Sequence, residues 1–262
     1  MAVQQRVAIV TGASAGVGRA YALALASTGA TVIAAARTLG DGGGQEPARN
    51  SLLEVVKAAA DLPGRIEAQP CDVEIEADIV RLIEQVIANF GRIDILVNNA
   101  AVMKSYPPLD IANEDWDRMM RVNLRAPYLT IRETAPHMIR QRSGSIVNIT
   151  AGAAGFVPKG DGLLHGTLPY AVSKAGLNRL TYFMSEELKE HGIAVNALSP
   201  GIVMTDTAIA SHAARGRPPR GKPPTPEVLG PALLYLAEQR ADTMTGQILH
   251  TDEFGKSWPK AD

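Results

Sequence analysis

The chain has 262 residues, 46% of them hydrophobic and 20% charged, which supports a buried core and excludes the low-hydrophobicity, high-charge signature of disorder. A formal net charge of −1 offers no broad attraction to a phosphate backbone, so nucleic acid is not an expected partner. The single cysteine, Cys71, excludes an internal disulfide and a cysteine-rich zinc centre; His137, His165, His191, His212 and His250 lack ligand spacing, so no metal is expected.

The first residues run into an apolar strand with no basic-then-apolar leader, and no apolar run is long enough for a bilayer. A cytoplasmic location without a membrane partner is the expectation. Aliphatic runs at 7–11, 31–36, 65–69, 93–98, 145–149, 193–198 and 247–250 predict seven strands. Helical periodicity falls between them at 17–27, 51–60, 75–90, 114–140, 170–191 and 226–238, and Gly29, Gly91 and Gly192 supply stop signals. The strands are apolar nearly throughout, as strands covered on both faces should be. The alternation predicts one α/β domain over 1–262: a Rossmann-type, doubly wound three-layer sandwich whose seven-stranded, mostly parallel sheet carries helices on both faces. Two stretches break the rhythm. Residues 38–50 hold a glycine-rich loop, and 207–225 hold prolines among Arg215, Arg217, Arg220 and Lys222. The second reads as a solvated lid, with attraction of an anionic substrate as the sharper alternative.

Gly12, Gly16 and Gly18 lie in the turn from first strand to first helix, spaced G-x-x-x-G-x-G around Ser14, Ala15 and Val17. Glycine there permits a tight turn and lets backbone N–H groups and a helix N-terminus approach a pyrophosphate. Placed in a βαβ unit, the turn predicts a dinucleotide site. An acidic residue closing the second strand would accept the ribose hydroxyls and repel a 2′-phosphate, whereas arginine would pair with it. Arg37 and Thr38 stand there, so NADP(H) is the preferred cofactor and NAD(H) the secondary one.

Tyr170 and Lys174 are four residues apart and share one helical face. A phenol titrates near 10, so a proton-transferring tyrosine needs a neighbouring cation, and Lys174 would lower its pKa. Pro127 follows Asn123 by four residues and has no N–H to return to its carbonyl, which predicts a bend there.

With these residues in view, the chain resembles the short-chain dehydrogenase/reductase family over nearly its whole length. The resemblance rests on the turn from Thr11 to Gly18, on Asp72 and Val73, on Asn98, Asn99 and Ala100, on Asn123, on Tyr170 and Lys174, and on Pro200, Gly201, Ile202 and Thr205. It implies interconversion of a ketone or aldehyde with an alcohol, with Tyr170 as general acid and base and Lys174 anchoring the nicotinamide ribose. It further implies that Asp72 contacts the adenine end, that Asn98 stabilises the central strand, and that Thr205 and its Pro-Gly neighbours hold the carboxamide. The Asn123 carbonyl would hold a proton-relay water, and a homodimer or homotetramer is expected. The family normally has a serine where this chain has Ala151, so Thr150 is the provisional substitute. That departure keeps a second reading open: a dinucleotide-binding regulatory or scaffold protein with little turnover.

Overall fold

The computed structural model describes residues 6–40, 50–104, 106–155, 167–201, 203, 205 and 224–259. Its strands are β1 (Val7–Thr11), β2 (Thr31–Ala36), β3 (Arg65–Pro70), β4 (Ile95–Asn98), β5 (Gly144–Ile149), β6 (Ile193–Ser199) and β7 (Ile248–His250). They form one sheet in the order β3-β2-β1-β4-β5-β6-β7, and every neighbouring pair is parallel. The expected sheet is thus present and wholly parallel. Winding reverses between β1 and β4, which opens a crevice at the carboxyl ends of those strands.

The period of two along a strand divides the core. Ala8 and Val10 of β1 join one apolar cluster, while Val7 and Ile9 join the other. The first cluster takes Tyr21 and Leu25 from α1 (Gly16–Ser27), Leu52 and Val55 from α2 (Leu52–Ala58), and Leu233 and Leu236 from a C-terminal helix, Gly230–Ala237. On the opposite face, α3 (Glu76–Phe90) contributes Ile79 and Leu82. Further along the chain lie α4 (Asn113–Met120), α5 (Ala126–Gln141), α6 (Leu168–Lys189) and α7, the helix at Gly230–Ala237. Leu129 and Met138 of α5 and Leu188 of α6 complete the second cluster. Burying such a side chain contributes about 1.5–3 kcal/mol, so both helical layers are held chiefly by their apolar faces. No described helix is long and apolar enough to cross a membrane.

The helix expected over 114–140 is three pieces. Between α4 and α5 lies a π turn, Arg121–Arg125, in which the N–H of Ala126 reaches back to the Arg121 carbonyl. Pro127, in the first turn of α5, cannot donate to Asn123, so the α pattern gives way just before it. Buried polar groups run across the sheet centre. Thr130 Oγ1 donates to Asn98 Oδ1 (2.6 Å), Asn98 Nδ2 to Asn148 Oδ1 (2.9 Å), and Asn148 Nδ2 to Thr181 Oγ1 (3.0 Å). These bonds tie α5, β4, β5 and α6 in one register.

Candidate active site

A cleft of about 490 Å³ opens at the reversal point. The structure brings to it Gly12, Ser14, Ala15, Gly16, Val17, Gly18, Arg37, Thr38, Asp72, Val73, Asn99, Ala100 and Thr205, all expected from sequence. Ala36, Cys71, Glu74, Ala101, Val102 and Val122 also line it. Most of these close a parallel strand or follow one, and that position is the signal that could have found them.

The glycines are needed for two different reasons. Gly12 and Gly16 have left-handed backbones, φ 66° and 54°. At Gly18, a Cβ would lie 2.3 Å from the Gly12 carbonyl oxygen and 2.4 Å from Asn99 Nδ2. Asn99 Nδ2 itself donates to the carbonyls of Thr11 (2.9 Å) and Gly12 (3.2 Å), while Thr11 Oγ1 accepts the N–H groups of Asn99 (3.0 Å) and Ala100 (3.1 Å). The turn is therefore stapled to the end of β4. Helix α1 begins after Ala15, which supplies no side-chain cap, and its first turn holds no acidic residue. Its free N–H groups and positive dipole end remain available to an anion.

Exposed Arg37 stands beside Thr38 at the cleft end of β2. Glu74, which also lines the cleft, has its charge met by Arg118 Nε at 2.9 Å and Arg121 at 3.7 Å. Thr205 lies against the turn, its Cγ2 being 3.1 Å from where a Cβ on Gly16 would sit. Pro200 and Gly201 line a separate hollow with Val203 and Thr251 rather than this cleft. Ile202 lies outside the described residues, as do the glycine loop at 41–49, the insertion at 156–166 and the cationic stretch at 215–222.

Tyr170 sits in the first turn of α6, and buried Lys174 follows one turn along. Lys174 Nζ lies 5.8 Å from the Tyr170 ring centroid and donates to the Ile149 carbonyl at 2.6 Å. Asn123 is buried in the π turn. Its Oδ1 accepts the Val102 N–H (2.8 Å), and its Nδ2 donates to the Val102 carbonyl (2.9 Å) and Ser173 Oγ (3.1 Å). Ser173 Oγ donates in turn to the Tyr170 carbonyl at 2.7 Å. Asn123 thus links the cleft wall to the start of α6 through its side chain. The sequence pointed only to its carbonyl.

Two expectations need correction. Lys174 was to lower the phenol's pKa; instead burial pushes Tyr170 up to about 12 and Lys174 down to about 7. Desolvation disfavours the charged form of each group and is the cause of both shifts. Thr150 is the second. Its hydroxyl is buried, does not line the cleft, and donates to Asn178 Oδ1 of α6 at 2.6 Å, so its proton is already engaged. Ala151, at the usual serine position, has no hydroxyl to offer.

Comparison with known proteins agrees with this geometry. The short chain dehydrogenase family profile matches residues 6–216. The chain is 33% identical over 257 residues to a 3-oxoacyl-(acyl-carrier-protein) reductase of Thermotoga maritima, covering 96% of this chain and 98% of the relative. A crystal structure of a short-chain type dehydrogenase/reductase from Mycobacterium marinum superposes with a TM-score of 0.82 at 30% identity, covering 98% of each chain. A metagenomic short-chain oxidoreductase in complex with NADP gives a TM-score of 0.75 at 30% identity, covering 95% of this chain and 97% of the other. Tyr170 and Lys174 are not among the residues that line the cleft, but the profile match over most of the chain, the identity to the Thermotoga relative and the shared fold are sufficient: the chain belongs to the short-chain dehydrogenase/reductase family of oxidoreductases.

Proposed function

We propose that this protein is an NADP(H)-preferring reductase that interconverts a carbonyl and a secondary alcohol. The observation that carries the reading is an uncapped, glycine-lined helix N-terminus facing the same end of the sheet as Tyr170 and Lys174. A Cβ on Gly12 would fall 2.8 Å from Ala100 Cα, so the turn keeps bare backbone where a pyrophosphate would rest. Gly12, Gly16 and Gly18 would hold the phosphates, Asp72 and Val73 the adenine end, and Thr205 the carboxamide. Arg37 at the rim favours a 2′-phosphate, and Thr38 beside it carries no charge to oppose one. The NADP complex of the metagenomic relative supports this cofactor choice.

The nicotinamide, when bound, supplies or accepts hydride at its ring. Tyr170 gives its phenolic proton to the carbonyl oxygen in reduction and takes it back in oxidation. Lys174, whose Nζ lies 5.8 Å from the Tyr170 ring centroid, would anchor the nicotinamide ribose. Asn123 fixes the Val102 segment and, through Ser173, the first turn of α6, which carries Tyr170. Its carbonyl is reserved for the relay of protons to Lys174.

The test is consumption of NADPH with a panel of ketones, aldehydes and 3-oxoacyl thioesters, the last class drawn from the Thermotoga relative's name. Turnover with at least one class is expected, with kcat/KM about tenfold higher for NADPH than NADH, equivalent to ~1.4 kcal/mol. Cofactor affinity without consumption across the panel would favour a regulatory or scaffold role, the reading that Ala151 keeps open. NADH preference would overturn the assignment to Arg37.

A further inference from the structure

One wall of the cleft, beside the end of β2 that carries Arg37, is the loop from β3 to α3, where Asp72, Val73 and Glu74 line the opening. The sequence gives this loop a weak anchor. Ile75 occupies the N-cap of α3 and has no side-chain acceptor for the helix's free N–H groups. The missing acceptor comes from inside the helix and serves the loop. Asp78 Oδ2 accepts the backbone N–H of Asp72, six residues earlier, at 3.0 Å.

Cys71, just before Asp72, is held to β2 by its own N–H to the Ala36 carbonyl at 2.9 Å, so Asp78 supplies the next hold along the loop. Asp78 Oδ1 takes a hydrogen bond from Arg81 Nη2 at 2.6 Å, so the carboxylate is held between helix and loop. These two donors also keep Asp78 ionised, its pKa lowered by the Asp72 N–H first and by Arg81 after it. Asp72 Oδ1 accepts the Glu74 N–H at 3.0 Å, and the Asp72 carbonyl accepts the Ile75 N–H at 2.9 Å. Among the described residues, Asp72 Oδ2 is the oxygen of that carboxylate left without such a bond. Helix α3 does not depend on Asp78 to stay docked, because Ile79, Leu82, Ile83 and Val86 already bury its inner face. The bond Asp78 makes to the loop is thus separate from the packing that docks the helix.

We propose that Asp78 is a positioning residue for the cofactor: by holding the Asp72 backbone it sets affinity for the adenosine half of the dinucleotide without touching it. The inference rests on the dinucleotide reading of the cleft and adds to it a residue outside the lining. A charged acceptor is well suited to the task, since hydrogen bonds to ionised groups are roughly twice as strong as neutral ones.

The experiment measures dissociation constants by calorimetry for two half-ligands, adenosine 2′,5′-bisphosphate and nicotinamide mononucleotide, on wild type, Asp78→Ala and Asp78→Asn. In Asp78→Ala the first constant should rise about tenfold and the second stay within about twofold, with cofactor KM rising and kcat at saturating cofactor little changed. Asp78→Asn keeps one acceptor oxygen and should recover most of the loss. Asp78→Ser is polar enough for the first turn of a helix but too short to reach Asp72, and takes the place of the alanine variant if that fails to fold. Equal weakening of both half-ligands, or unchanged binding with a lowered melting temperature, would overturn the proposal and leave Asp78 a structural cap. Failure of wild type to bind the adenosine half-ligand would instead overturn the dinucleotide reading beneath it.

Discussion

Lys174 is buried and Tyr170 beside it half-buried, and desolvation moves them apart: the amine's pKa falls to about 7 and the phenol's rises to about 12. For the lysine the consequence is a pH-dependent cost. Between about 7 and its unfolded value near 10.5, the unfolded chain holds the proton more tightly, so stability rises with pH across that window. Below about 7 both states are protonated, and the full cost of burying the charge remains. Lys174→Met should therefore raise the melting temperature at pH 6 by several degrees, with the gain shrinking toward pH 10. Melting curves at both pH values check this; a lower midpoint at each would mean the bond to Ile149 outweighs desolvation. Ala151 supports a second prediction. Ala151→Ser adds the hydroxyl that the family resemblance leads one to expect, and a well-placed donor to a reacting oxygen is worth 10²–10³ in rate, so even imperfect placement should raise kcat about tenfold. An unchanged kcat would indicate that another group already orients the carbonyl. Alternation along β5 explains why Thr150 does not serve: two residues after Asn148, it shares the face turned to α6, where the pair bonds Asn178 and Thr181. That much was legible. The choice between strand alternation and a twisted end was not, because it depends on which α6 side chain waits opposite.

At the scale of elements, the glycine turn was readable because steric need leaves a spacing in sequence. Gly18→Ala would push a methyl group into the Gly12 carbonyl and the Asn99 amide, loosening the staple between β1 and β4. Cofactor affinity should fall at least about tenfold together with the melting temperature. Gly91→Ala is the control. Gly91 ends α3 at φ 70° with nothing within 4 Å of where a Cβ would sit, so the substitution should cost ~1 kcal/mol of stability and no cofactor affinity. Equal loss of affinity in both variants would contradict a specific role for the turn. The π turn was only half visible. Pro127 announced a break in bonding at Asn123, yet whether the chain answers with a kink or a wide turn is decided by packing. Residues 121–125 carry no pattern that separates the two. Asp78 was not visible at all, since a six-residue reach from a helix back to a loop leaves no period.

For the whole molecule, strand runs apolar on both faces and separated by helical stretches were enough for layers, direction and a single reversal point. The order β3-β2-β1-β4-β5-β6-β7 places both halves of the proposed site at one end of the sheet: the glycine turn after β1, and Lys174, one helical turn from Tyr170, beside the end of β5. Strand periodicity gave the elements, but the meeting of Asn123, Val102 and Ser173 required the fold, because three elements distant in sequence converge there. The measurement that bears most directly on this arrangement compares wild type with Tyr170→Phe, recording NADPH affinity and carbonyl-dependent NADPH consumption on the same preparations. Unchanged affinity with turnover reduced about 10²- to 10⁴-fold is the expected result. Undiminished turnover in the phenylalanine variant would contradict the account, because proton transfer would then not pass through this phenol.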